Sequence, residues 1–215
     1  MAALFDLFGF LDVVFRFVAL TSQALMIGGI AFILLVIHPF FDRIGREAAE
    51  IFHRSLVLLR WSALAGAVGA TLYVALNVLL LQASADVPIT DGLAADFARA
   101  EMVRIVACML IFALATGNSP AGRRDTGLAI AAVILLGAAV ATSHSVSRMT
   151  DRLPLAGADA LHQLGAAVWI GGIPYFVIAL GRTHDSVAWR LIGKRFSQMS
   201  MASVAALTAA GLVLA

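Results

Sequence analysis

The chain has 215 residues, 61% of them hydrophobic and 13% charged, with a formal net charge of +2. An ordinary soluble domain is roughly 45–50% apolar, so this composition excludes one and marks an integral membrane protein built as a single domain. The few charges are spread over short connections with no aromatic interleaving, which excludes nucleic acid as a partner and leaves membrane lipid as the surrounding phase.

The chain opens with MAALFDLFGFLDVVFRF, which has neither a basic leader region nor a small-residue cleavage site, so it does not read as a cleavable signal peptide. It predicts an interfacial helix over residues 1–12, with Phe5, Phe8 and Phe10 dipping into lipid. Apolar runs follow at about 18–40, 55–81, 103–116, 126–142, 158–180 and 200 to the end. A helix crosses the hydrocarbon core with about 20 largely apolar residues. The runs therefore predict an all-α, polytopic membrane helical bundle of about six transmembrane helices. The sequence stops at GLVLA, inside an apolar run, which reads as truncation at the C-terminal end.

The connections set the orientation. The first, third and fifth hold 3 (Arg43, Arg46, Arg54), 2 (Arg123, Arg124) and 4 (Arg182, Arg190, Lys194, Arg195) basic residues, against 0 and 2 (Arg148, Arg152) in the second and fourth. Basic residues collect on the cytoplasmic side, so the odd connections are placed in the cytoplasm and the N-terminus outside. Cys108, the single cysteine, lies in an apolar run, which rules out an intrachain disulfide and a CxxC motif and suits a small buried residue.

Histidines stand at both membrane faces. His38 ends the first run before Pro39, and His53 leads into the second, so both lie near the cytoplasmic face. Arg60 follows His53 by two helical turns, inside an apolar run, where it can snorkel to headgroups or meet a buried anion such as a haem propionate. His144, in TSHSVSRM, and His162, in ADALHQLGAAVWIGG, bracket the fourth connection and so share the exterior face. Imidazole is a common ligand of metals and of haem iron, which makes this pair the leading candidate for chemistry. Met149, in the same connection, offers a soft third ligand suited to copper(I). Asp159, His162 and Trp169 share one helical face, where Asp159 can hold the non-ligating nitrogen of His162. The alternative is plainer: Asp159 caps the helix start, His162 bonds a neighbouring backbone, Trp169 packs, and Gly171 and Gly172 admit a close helix contact. No hydrolase, phosphate-loop, zinc-protease or haem-attachment motif occurs, so the reading is of a non-enzyme engaged in transport or electron transfer.

Ser143 and His144, then Asp159, Ala160, Leu161 and His162, then Trp169, Gly171 and Gly172, then Arg195, Phe196 and Ser197 form a series that resembles the CopD copper-resistance family of bacterial inner-membrane proteins. The resemblance covers residues 142–215; the earlier part agrees in hydropathy. It implies a CopD-like transmembrane domain over 1–215 in the bacterial inner membrane, handling copper with His144 and His162 as periplasmic ligands. It also implies a periplasmic copper protein or a cytochrome c as partner.

Two functions follow as expectations. The first is copper transport or homeostasis, with His144, His162 and Met149 at the metal and Asp159 and Trp169 behind them. The second is a membrane b-type cytochrome, with one haem b between His144 and His162, another between His38 and His53, and Arg60 at a propionate; this reading uses four of the five histidines.

Overall fold

The computed structural model describes residues 2–117, 121–143 and 152–214, with side chains over 8–117, 122–143 and 153–214. Among these residues every regular element is helical. The first, α1, spans Ala2–Phe32 and continues through a π-helical turn at Ile33–Ile37 and a 3-10 turn at His38–Phe40. The interfacial helix expected over 1–12 is therefore not a separate element but the first turns of α1. No proline interrupts that stretch, and one unbroken helix keeps every backbone group paired on the way into lipid.

The irregular end of α1 has a local cause. Pro39 offers no N–H, and its ring crowds the carbonyl of Leu35, so the helix loosens before it and tightens after it. A short helix, α2 (Phe41–Ile44), leads to Gly45, whose φ of +71° makes the reversal into α3. Helix α3 runs Arg46–Ala85; its 40 residues extend about 60 Å, twice the hydrocarbon thickness. After α4 (Ile89–Ala94) come α5 (Asp96–Thr116), α6 (Ala121–Ala141), α7 (Arg152–Leu180) and α8 (Ser186–Leu214).

Five of these segments are long and apolar enough to cross a membrane: Phe8–Ile44, Arg46–Ala85, Gly122–Ala141, Leu153–Leu180 and Ser186–Leu214. The chain is thus a multi-pass helical membrane protein. Helix α5 has 21 residues, a sufficient length, but Arg99, Glu101 and Arg104 occupy its first half. Two boundaries move from expectation. Helix α7 begins at Arg152, so Asp159 lies in its interior and is not an N-cap; α8 begins at Ser186, well before the apolar run at 200.

Successive long helices run antiparallel, so the bundle has two unlike ends. One carries Asp86, Asp91 and Asp96, the start of α1 and the start of α7. The other carries Arg43, Arg46, Arg123, Arg124, Arg182 and Arg195. Contacts remote in sequence hold each end: Asn77 of α3 donates to Asp12 of α1 at the acidic end (3.3 Å), and at the basic end the backbone N–H of His184 donates to Glu47 (2.8 Å) while Arg182 meets Glu50 (2.9 Å).

Helix α1 is packed centrally, against α3 on one side and α7 on the other, and α8 covers α7. Its crossing with α7 is built on glycine. A Cβ at Gly171 would overlap the carbonyl of Ala24, and one at Gly28 would overlap the backbone of Gly171 and Gly172. Gly29 leaves room for the ring of Tyr175, which is fully buried, and Gly172 faces Phe196 and Met199 of α8. In lipid the hydrophobic effect does not drive helices together, so close backbone approach and dispersion must do so, and paired small residues permit both. That is what the two glycines of the WIGG sequence accomplish.

Candidate functional site

At the acidic end the helices part around a cavity of about 700 Å³. Arg16, Gln23 and Ala24 of α1, Tyr73 of α3, Glu101 and Arg104 of α5, Thr142 and Ser143 at the end of α6, and Asp159, Gln163 and Ile170 of α7 all line it. Helical periodicity puts them there: Arg16 and Gln23 lie two turns apart on α1, and Asp159, Gln163, Ala166 and Ile170 form one stripe of α7.

The polar groups are organised. Gln163 Nε2 donates to Asp159 Oδ2 at 3.0 Å, and Gln23 Nε2 donates to Gln163 Oε1 at 3.3 Å, forming a chain from α7 to α1. Arg104 Nη1 lies 3.0 Å from Glu101 Oε1, and the two side chains are only 9% and 6% exposed. Arg16 sits beside Tyr73. Among the described residues, three buried atoms of the side chains lining it have no hydrogen-bond partner: Gln23 Oε1, Glu101 Oε2 and Arg104 Nε. A buried polar atom left unpaired in this way costs about 1–3 kcal/mol, so a wall carrying three of them is suited to receive a polar occupant.

His162 stands beside this wall but faces α8. Its Nδ1 lies 3.3 Å from the backbone carbonyl of Leu207, and Gly211 lies beside the ring, where a Cβ would sit in ordinary contact 3.7 Å from Nδ1. A carbonyl only accepts, so the bond requires the proton on Nδ1; in the neutral ring the lone pair is then on Nε2, the tautomer a metal ligand needs. The sequence reading assigned the orienting of His162 to Asp159. In the structure the Leu207 carbonyl makes that bond and Asp159 accepts from Gln163, because the 159–163 spacing stacks those two side chains a full turn apart. Trp169 is 37% exposed on the outer side of α7. His144 and Met149 lie outside the described residues; Ser143, the residue before His144, lines the cavity.

At the basic end His38 is drawn into the bundle. Its Nδ1 is 2.8 Å from Asp125 Oδ2 of α6, and its ring lies 5.3 Å from that of Phe52, over which Arg124 places its guanidinium at 4.5 Å. His53, the residue after Phe52, is exposed, so the two histidines expected to work together have different surroundings. Arg60 is half-buried, its guanidinium 5.9 Å from the ring of Trp61, which is itself 58% exposed. Among the described residues no group of three or more His, Cys, Asp and Glu side chains converges as a metal cage. Cys108 is fully buried, as its apolar setting predicts, and with Met26 it packs against Gly66.

Sequence reasoning missed the cavity. It left Gln23, Tyr73 and Gln163 unremarked. One signal was available: Ser22 and Gln23 interrupt an otherwise apolar run two turns after Arg16, and polar groups inside spans tend to face the bundle interior. Comparison with protein-family models, with curated proteins and with solved structures finds no match to this chain.

Proposed function

We propose that the protein is a copper-handling membrane protein of the bacterial inner membrane, with α5 as its sixth span, its acidic end in the periplasm and its basic end in the cytoplasm. The distribution of Lys and Arg supports that orientation. Copper is the cargo, met at the periplasmic face by His162 together with His144 and Met149 of the segment joining α6 to α7. A periplasmic copper protein or a cytochrome c is the expected partner.

The observation that carries this reading is the contact of His162 Nδ1 with the Leu207 carbonyl, which in the neutral imidazole places the proton on Nδ1 and the lone pair on Nε2, the tautomer a metal ligand uses. The series of residues resembling the CopD family supplies the identity of the metal. His162 is set on two packed helices and not on a loop, so its ring loses little freedom on binding.

Copper titration of the purified, metal-free chain under reducing conditions, against a chromophoric copper(I) chelator, tests the reading. Stoichiometric copper is expected, with retention lost in His144→Ala and His162→Ala. A Soret band with reducible α bands that vanishes in the same variants would replace copper by haem b. Absence of both cofactors after gentle purification would remove both readings.

A further inference from the structure

We propose that the cavity at the acidic end is a binding site for a small zwitterion, an α-amino acid with an apolar side chain. The proposal is independent of the copper reading, which rests on a different face of α7. It starts from charge balance. Arg16 and Arg104 contribute two positive charges to the lining, and Glu101 and Asp159 two negative ones, so the described residues favour neither a bare cation nor a bare anion. A neutral molecule carrying both charges matches such a wall, because each of its ends finds a partner and no net charge is taken out of water.

The unpartnered atoms name the two ends. Among the described residues Arg104 Nε is a buried donor with nothing to donate to, and the Arg104 side chain is more than nine-tenths buried. A carboxylate can accept from it, with Arg16 on the same wall. Glu101 Oε2 and Gln23 Oε1 are buried acceptors with nothing to accept from among the described residues. An ammonium group, with three donors, can serve both. The Glu101 to Arg104 contact of 3.0 Å places the acceptor and donor side by side, as the adjacent ammonium and carboxylate of an α-amino acid require. Gln23 is held by its own amide donation to Gln163, which directs Oε1 elsewhere and spares the ligand part of the cost of ordering it. The rest of the lining is apolar: Leu20, Ala24 and Ile170 offer a surface for an aliphatic side chain, and 700 Å³ lies within the usual range for small-molecule sites.

The test uses the full chain in lipid nanodiscs with a metal chelator present, so copper plays no part. L-leucine is titrated by isothermal calorimetry beside two probes that each lack one charge, 4-methylpentanoate and isoamylamine. Saturable binding of leucine is expected, with each single-charge probe weaker by about tenfold or more, the effect of one charge-assisted hydrogen bond. Arg104→Gln should weaken leucine by a similar factor, and so should Gln23→Leu, which keeps the ion pair if the arginine variant fails to fold. Equal binding of the carboxylate probe would make this an anion site, and equal binding of the amine a cation site; either overturns the proposal. So does the absence of leucine binding up to about 10 mM.

Discussion

Replacing Gly171 by alanine tests the packing logic of the bundle most directly. The new Cβ would overlap the carbonyl of Ala24 and come within 3.1 Å of the amide nitrogen of Leu25. Both obstacles are backbone atoms of α1, so no side-chain rotation relieves them and the whole helix must shift. Overpacking of this kind costs about 1–3 kcal/mol, offset by about 0.5–1 kcal/mol from replacing a helical glycine by alanine. A net loss of about 1–2 kcal/mol is therefore expected. Gly137→Ala is the matched control, because nothing lies within 4 Å of a Cβ placed there; only the helix gain remains, and the variant should be as stable as the parent or more so. Reversible unfolding in mixed micelles, followed by circular dichroism, measures both. If the two variants agree within about 0.5 kcal/mol, close backbone contact between α1 and α7 is not what holds the bundle.

Three further outcomes follow from the geometry. Arg104→Ala takes the adjacent cation from buried Glu101, leaving only Arg16 near it among the described residues, and should cost about 3 kcal/mol, whereas Arg104→Ala combined with Glu101→Ala should cost less than the single change; a double-mutant cycle read by the same unfolding assay checks it. Asp125→Asn weakens the 2.8 Å contact with His38 that ties α1 to α6; both side chains are 22% exposed, so a loss of about 1 kcal/mol is expected, and a loss above about 3 kcal/mol would mean that the pair does more than join two helices. Gly211→Leu should push the His162 ring off the Leu207 carbonyl and reduce copper retention with little change in helix content, measured by metal analysis beside circular dichroism; unchanged retention would separate the imidazole's orientation from metal binding.

Hydropathy placed the long helices, because a backbone in lipid must pair its own polar groups and has few options besides the α-helix. It placed their ends poorly. Residues 186–199 belong to α8, and residues 152–157 to α7, although both stretches lie outside the apolar runs. Asp159 shows the consequence: a shift of two turns changes it from a cap into a cavity residue hydrogen-bonded to Gln163.

Composition and the order of apolar runs alone thus settle that this is a multi-pass helical membrane protein, and the WIGG sequence already marks a place of close contact. Which helix it contacts, at Ala24 and Gly28 of α1, belongs to the tertiary structure, as does the cavity that Glu101 and Arg104 share with Gln23. The reason is physical. Burial in lipid depends on each residue's own transfer energy and can be summed along a chain, whereas contact between helices depends on the relative rotation of elements distant in sequence. His162 joins the two levels: its candidacy as a ligand is legible from the chain, and its hydrogen-bond partner, the Leu207 carbonyl, lies 45 positions away on another helix.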